Sequence, residues 1–473
     1  MKNLRLPFVC LLVCSLLFNT SLAVAQSSLI QSWVKRVDFR QAPDESLDIA
    51  ADSLGNSYAT GHICTVPQSP NPSGSSGCFQ SEALTIKYAP NGTVLWKAFL
   101  SGPQIPSPFP DSASAKLAFA DGEKVAVDSM GNAYVSGRVI LTRQKSANPS
   151  GLLTANREEI WTAKYDVNGN REWISFFDDS LHGYKSVAGI AVDHNGNVIT
   201  SGSGFVSDPE ANLQGPAHFL TIKYDSQGKQ IWAEAAPFGS FGDAARDMKL
   251  DPAGNIIVAG SGIGNGSGVI LKYCSTGSLL WSDVFGIGES YRALIVDAEG
   301  NAFVAGNMVV KYGPAGNRAW VASHTTPNSN TPPFYQTIGL DSSGNVYVAG
   351  TASFIDGNKY DTLKFSPTGT FLWEELYSNN GIGVIHQARV LLVCSSGIFV
   401  TGRSFNAEGG FEVATIKYSA TGTQLRAVRY TLIPLGDSQP NAMAFGGAAL
   451  FVTGSSAGTT TDLDWITIKY INP

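Results

Sequence analysis

Residues 341–350 read DSSGNVYVAG and residues 362–373 read TLKFSPTGTFLW, and the two signatures they contain recur along nearly the whole chain. The first is Asp-x-x-Gly-Asn, then alternating apolar residues, then a second Gly nine positions after the Asp. It spans 52–61, 128–137, 193–202, 251–260, 297–306 and 341–350, and degenerate copies end at Gly402 and Gly454. An Asp at this place can accept backbone amides of a turn, and Gly supplies the positive φ of a type I turn with a bulge. One Asp per turn offers too few oxygen ligands for a calcium loop.

The second signature is a Lys-aromatic pair with a Gly four residues after the aromatic and a Trp eight after it. It occurs as Tyr88/Gly92/Trp96, Tyr165/Gly169/Trp173, Tyr224/Gly228/Trp232, Tyr273/Gly277/Trp281, Tyr312/Gly316/Trp320 and Phe365/Gly369/Trp373. Tyr418/Gly422 keeps the spacing but has Arg426 in place of the Trp, and Lys469-Tyr470 is an eighth pair. Each unit therefore reads as four antiparallel strands: one before the Asp, one ending in Gly, one ending in Lys-Tyr, one holding Trp. A sheet with two apolar faces must stack on neighbours, and a ring lets every unit do so. The expectation is an all-β chain forming a single β-propeller of eight four-stranded blades. Unit eight lacks its Trp strand, while residues 32–39, SWVKRVDF, are a Trp strand with no unit in front. This N-terminal strand is expected to pair with the strand ending at Tyr470 and cover an open edge.

Composition fits many short strands joined by turns: 473 residues, 43% hydrophobic and 15% charged, with 50 Gly and 23 Pro spread throughout. A net charge of -6 without a Lys/Arg cluster excludes a nucleic-acid footprint. Lys2 and Arg5, the apolar run 6–18 and Ala23-Val24-Ala25 ahead of Gln26 have the layout of a cleavable signal, giving a signal peptide at 1–25 and a propeller domain at 26–473. The run is shorter than the roughly 20 apolar residues a span requires. Leu11-Leu12-Val13-Cys14 faintly resembles a lipoprotein processing site, with Val13 where such sites take a small residue. No integral membrane segment is expected, and the chain reads as a monomer without cofactor. After export four cysteines remain. Cys64 and Cys78 bracket a Pro/Ser/Gly-rich insertion and are expected to form a disulfide, which over such a loop contributes about 3 kcal/mol. Cys274 and Cys394 lie in turns of different repeats and read as unpaired.

The pattern GIAVDxxGNxYVxG…xTIKYxxxGxxxW resembles the SBBP-type bacterial β-propeller repeat, and the resemblance runs from Trp33 to Tyr470. It implies an extracellular or periplasmic bacterial propeller and carries no agreed activity. The Gly-to-Trp spacing is also similar to the tryptophan-docking motifs of eight-bladed quinoprotein dehydrogenases.

Sites are sought where the repeat does not dictate the residue. A Trp recurring once per blade reads as inter-blade packing, with truncation costing about 3–5 kcal/mol. Trp161 and Trp465 read as packing too. Insertions separate Gly61 from Lys87, Gly137 from Lys164 and Gly202 from Lys223, and the connector from Trp96 to Asp128 is long as well. All fall on one face over blades one to three, which is therefore the expected binding face. Counting back along the inner strands gives a second candidate: Asp48, Lys124, Asp247, Thr337, Arg389 and Asn441, with Gly189 and Ala293 in the other units and Arg246 and Arg292 one step further out. These would form a mixed-charge ring at the channel mouth, self-paired or open to a polar ligand. His62, His182, His218, His324 and His386 map to the long face without paired spacing, so no metal site is expected. Gly454-Ser455-Ser456-Ala457-Gly458 and the Gly-rich 260–268 both lead into strands, which excludes a nucleophile elbow and a phosphate loop. The leading expectation is a secreted or periplasmic binding scaffold for a glycan, peptide or envelope protein. The rival is a secreted enzyme with a channel-mouth site, polysaccharide-active or quinone-dependent. Asp48 and Asp247 are the only inner-strand carboxylates for glycosidase work, and they stand three blades apart.

Overall fold

The computed structural model describes residues 29–471 apart from 40–41, 68–77, 102–114, 145–153, 178–184, 209–212, 238–242, 263–265, 287, 332–333, 380–383 and 459–461. The signal-peptide reading of 1–25, the Cys14 alternative and His182 lie outside the described residues. Among those described, the regular structure is all strand, arranged as eight four-stranded antiparallel sheets. Among the described residues no helix is long and apolar enough to cross a membrane. Blades one to seven occupy 45–100, 115–177, 185–236, 243–285, 293–322, 335–377 and 386–430. Each inner strand packs on the inner strand of the next blade, and that of blade eight packs on blade one, so the ring is closed. The molecule is an eight-bladed β-propeller. Its hydrophobic layers lie between blades. Tyr58, Ala83 and Trp96 of blade one, for example, meet Val125, Ala133 and Trp161 of blade two.

Blade eight is assembled from both ends of the chain. Ser438–Gly446, Ala449–Ala457 and Leu463–Ile471 are its first three strands, and Ile30–Val37 is the outer one. Trp33 pairs with Lys469, as Trp96 pairs with Lys87 in blade one.

The Lys-Tyr and Trp signatures form one clamp. The Trp96 indole N–H and the Lys87 ammonium both donate to the Val167 carbonyl in the following blade, each at 3.1 Å. Trp232 and Lys223 share Ser275 O, Trp281 and Lys272 share Pro314 O, Trp373 and Lys364 share Ala420 O, and Trp33 and Lys469 share Pro90 O. Each accepting turn carries the Gly four after the Tyr, with φ from +82° to +97°, and the incoming Trp ring lies where its Cβ would be. The docking rings are mostly half-buried, so their packing is less enclosed than the sequence reading assumed; Trp161 and Trp465 are the fully buried pair. Arg426 also gains a reason. A Trp there would dock on a turn between the third and fourth strands of blade eight, and those strands, Leu463–Ile471 and Ile30–Val37, are not joined by one.

The second Gly of the first signature has a separate role. The inner strand carries a β-bulge opposite it, as between Ser46 and Asp48. A Cβ on Gly61 would sit 2.0 Å from Glu45 O, and on Gly137 1.8 Å from Asp121 O. Only hydrogen fits where the two backbones close beneath the bulge.

Where they are described, the insertions that the spacing suggests as loops are strand extensions. The second and third strands have 11 and 11 residues in blade one, 12 and 12 in blade two, and 11 and 12 in blade three, against 4 and 4 in blade five. Part of the long connector likewise belongs to the 13-residue inner strand Ala115–Val127. Three hairpins therefore prolong the sheets on one face, and the Cys64–Cys78 disulfide crosses the first. Cys274 and Cys394 are unpaired.

Candidate functional site: the channel mouth and the extended-hairpin face

The inner-strand ring divides into two structural positions. Pairing places Asp48, Lys124, Gly189, Asp247 and Thr337 directly after the bulge, and Ala293 opens the short inner strand of blade five at the matching place. Arg389 and Asn441 do not belong with them. Blades seven and eight replace the five-residue Asp turn with two-residue turns, 395–396 and 447–448, which shortens the repeat by one residue. Val390 and Ala442 take the position after the bulge, and Arg389 and Asn441 fall on the bulge itself. One residue of slip moves a side chain to the other face. The bulge ring is therefore Leu47, Glu123, Ala188, Arg246, Gln336, Arg389 and Asn441, with Arg292 completing it just ahead of the strand Ala293–Val296, its N–H donating to Ala305 O.

The position after the bulge stitches blades together. Asp48 Oδ2 accepts the Val125 amide at 3.0 Å, Asp247 Oδ2 accepts Leu294 N–H at 2.9 Å, and Thr337 Oγ1 accepts Leu391 N–H at 3.0 Å. Each acceptor is one blade behind its donor. Burial raises the Asp48 carboxyl, while Lys124 and the Val125 amide pull it back. Asp247 also binds Lys249 at 2.5 Å. Two bulge residues serve the same end: Glu123 accepts Val187 N–H at 2.5 Å, and the Asn441 amide donates to Ser46 O at 2.8 Å. Arg246 and Arg292 are different, since they stand in adjacent blades with no carboxylate partner among the described residues.

A second constellation escaped sequence reading. Asp361 on the third strand of blade six is buried, and the Glu374 carboxyl on the outer strand acts on it electrostatically. Thr326 donates to Asp361 Oδ2 at 3.1 Å, and His324 Nε2 lies 3.2 Å from Glu374 Oε2 with its ring stacked on Phe371. Burial first, and the Glu374 charge second, push the Asp361 carboxyl up to about 8. A carboxyl raised this far holds its proton at neutral pH, and Asp361 Oδ1 and Glu374 Oε1 are both buried without another hydrogen-bond partner.

The raised pKa has a definite consequence for stability. A carboxyl raised on folding stabilises fully below its unfolded pKa, near 3.8 for Asp361, and that contribution fades as pH rises through about 8. Glu123 and Asp44, both pushed up to about 7 chiefly by burial, act in the same sense. Buried His386, pushed down to about 4, acts oppositely, as pH falls below the ordinary imidazole range. The melting temperature is therefore expected to fall from pH 6 to pH 9. Asp361→Asn, which keeps a hydrogen-bond donor toward Glu374, is expected to recover on the order of 2 kcal/mol at pH 9 and little at pH 5. Parallel melting-temperature curves for the two proteins would refute the raised Asp361 carboxyl.

The remaining histidines do not converge. His62 lies 3.5 Å from Asp121, and no group of three metal-ligating side chains occurs among the described residues.

No family model and no curated protein matches the chain. Solved structures do. Sqt1 from Chaetomium thermophilum is 8% identical, with 93% of this chain and 99% of that one aligned at a TM-score of 0.53. Virginiamycin B lyase from Staphylococcus aureus is 11% identical over 74% and 95% at 0.44, and the periplasmic gluconolactonase PpgL of Pseudomonas aeruginosa 10% over 84% and 98% at 0.42. At such identities the likeness is one of fold.

Proposed function

We propose that the chain is an exported bacterial propeller of the SBBP type that binds a glycan, a peptide or an envelope protein through the face bearing the three extended hairpins, without catalysing a reaction. The observation carrying this reading is the asymmetry of the ring: blades one to three prolong their hairpins on one face while blade five keeps four-residue strands. The first hairpin holds a disulfide, compatible with an oxidising compartment, and exposes Val66 and the aromatic ring of Phe79 beside it. Rigid strands that present apolar side chains to solvent suit recognition. The enzymatic alternative is weaker, because Asp48 and Asp247 each hold the backbone of the next blade.

The test is a glycan array and a peptide array probed with three proteins: the mature chain, a variant with residues 64–78 replaced by a two-residue turn, and Phe79→Ala. Binding present in the first and lost in both variants, with melting temperature retained, is the expected result. Binding that survives both changes moves the site elsewhere. Turnover of any glycan during incubation would overturn the non-catalytic reading.

A further inference from the structure

The bulge ring is electrostatically lopsided. Glu123 in blade two is held by Val187 N–H and by Arg138 at 3.3 Å, and Asn441 in blade eight donates to Glu45 and Ser46. From blade four to blade seven this ring holds Arg246, Arg292, Gln336 and Arg389, an arc with three guanidinium groups and no acid. Arg246 is exposed and Arg292 half-buried. Arg292 stacks on the Phe334 ring at 5.0 Å, and its Nε is buried without an acceptor. Burial, then the Arg246 charge, lower the Arg292 pKa, and no carboxylate opposes them. The nearest acid in sequence, Asp247, is engaged by Lys249 and Leu294 N–H.

Two adjacent guanidiniums of like charge, one with an unmet buried donor, cost stability unless something negative sits between them. The geometry points to a second binding site here: Arg246 and Arg292 form a clamp at the channel mouth for an oxyanion, the carboxylate or phosphate of an acidic small molecule. Guanidinium forks suit both groups because each presents paired oxygens to parallel N–H donors. Phe334 fixes the plane of Arg292, leaving exposed Arg246 to close on the ligand. The clamp lies over blades four and five, beside the blade-three hairpin but apart from the disulfide-bearing hairpin of blade one, and does not rest on the hairpin reading.

Calorimetric titration of the mature chain at low ionic strength with inorganic phosphate, and separately with glucuronate, tests it. Saturable binding of at least one is expected, and which one binds identifies the oxyanion. Arg246→Gln and Arg292→Gln should each weaken binding roughly tenfold or more. Lys229→Gln, an exposed charge on a blade-three turn, should leave it unchanged, as should shortening residues 64–78. Without anion, Arg246→Gln should melt no lower than the parent, because it removes like-charge repulsion. Absence of saturable binding by both anions overturns the site, as does equal weakening by Lys229→Gln. A lower melting temperature for unliganded Arg246→Gln overturns it too, by giving Arg246 a structural partner.

Discussion

A chain lacking residues 26–40 is expected to lose the closed ring, with a melting temperature far below that of the parent or aggregation during the scan. Ile30–Val37 is the outer strand of blade eight, and its removal exposes the full edge of Leu463–Ile471, whose Trp465, Ile466, Ile468 and Tyr470 are all buried. It also removes Trp33, which packs on Gly92 and donates to Pro90 O in blade one, and Arg36, which pairs with Asp464. Loss of a fully buried aromatic costs about 3–5 kcal/mol, an upper bound for half-buried Trp33, and an unpaired strand edge adds an aggregation route. In a ring the effect spreads, since blade one loses the neighbour that closes its outer side. Calorimetry at a fixed scan rate with size-exclusion chromatography measures it. An unchanged melting temperature would refute closure by this strand.

Gly137→Ala is expected to unfold blade two or to cost more than about 4 kcal/mol, the range of exceptional single substitutions. The added carbon would lie 1.8 Å from Asp121 O, 2.8 Å from its carbonyl carbon and 3.0 Å from Gly122 Cα. All three are backbone atoms held by bulged pairing to both sides, so nothing can swing away. Gly254→Ala is the contrasting case. Its φ of +79° disfavours a side chain, yet nothing lies within 4 Å, so only the left-handed backbone cost of about 1–2 kcal/mol applies. Chemical denaturation of both variants separates the mechanisms. Equal losses would mean that backbone conformation, and not close approach, demands the Gly at 137.

The stitching residues show where counting along the chain succeeds and where it slips. Asp48, Lys124, Asp247 and Thr337 were correctly aligned because their blades share the same five-residue Asp turn. Arg389 and Asn441 were placed beside them because the shorter turns of blades seven and eight left no mark in the distance from the second Gly that sequence alone could interpret. The bulge was invisible for a related reason: it is a property of two strands pairing out of step, while sequence presents each strand singly. The long Gly-to-Lys spacings read as inserted loops, because spacing alone does not show pairing, although stretches such as Ala133–Gln144 continue as paired strand.

The number of blades, the order of strands, the tight Asp turns and the closing role of the Trp33 strand were fixed by sequence alone. Each is written in spacings of fewer than ten residues that recur, and short-range spacing controls turns and strand alternation directly. Tertiary structure alone decided three other things. It joined Lys and Trp of five blades on a single carbonyl of the next, brought Asp361, Glu374 and His324 together from three segments, and set Arg246 and Arg292 at matching places in adjacent blades. These depend on the offset between paired strands and on how one blade seats against another, and both arise only when sheets twist and pack.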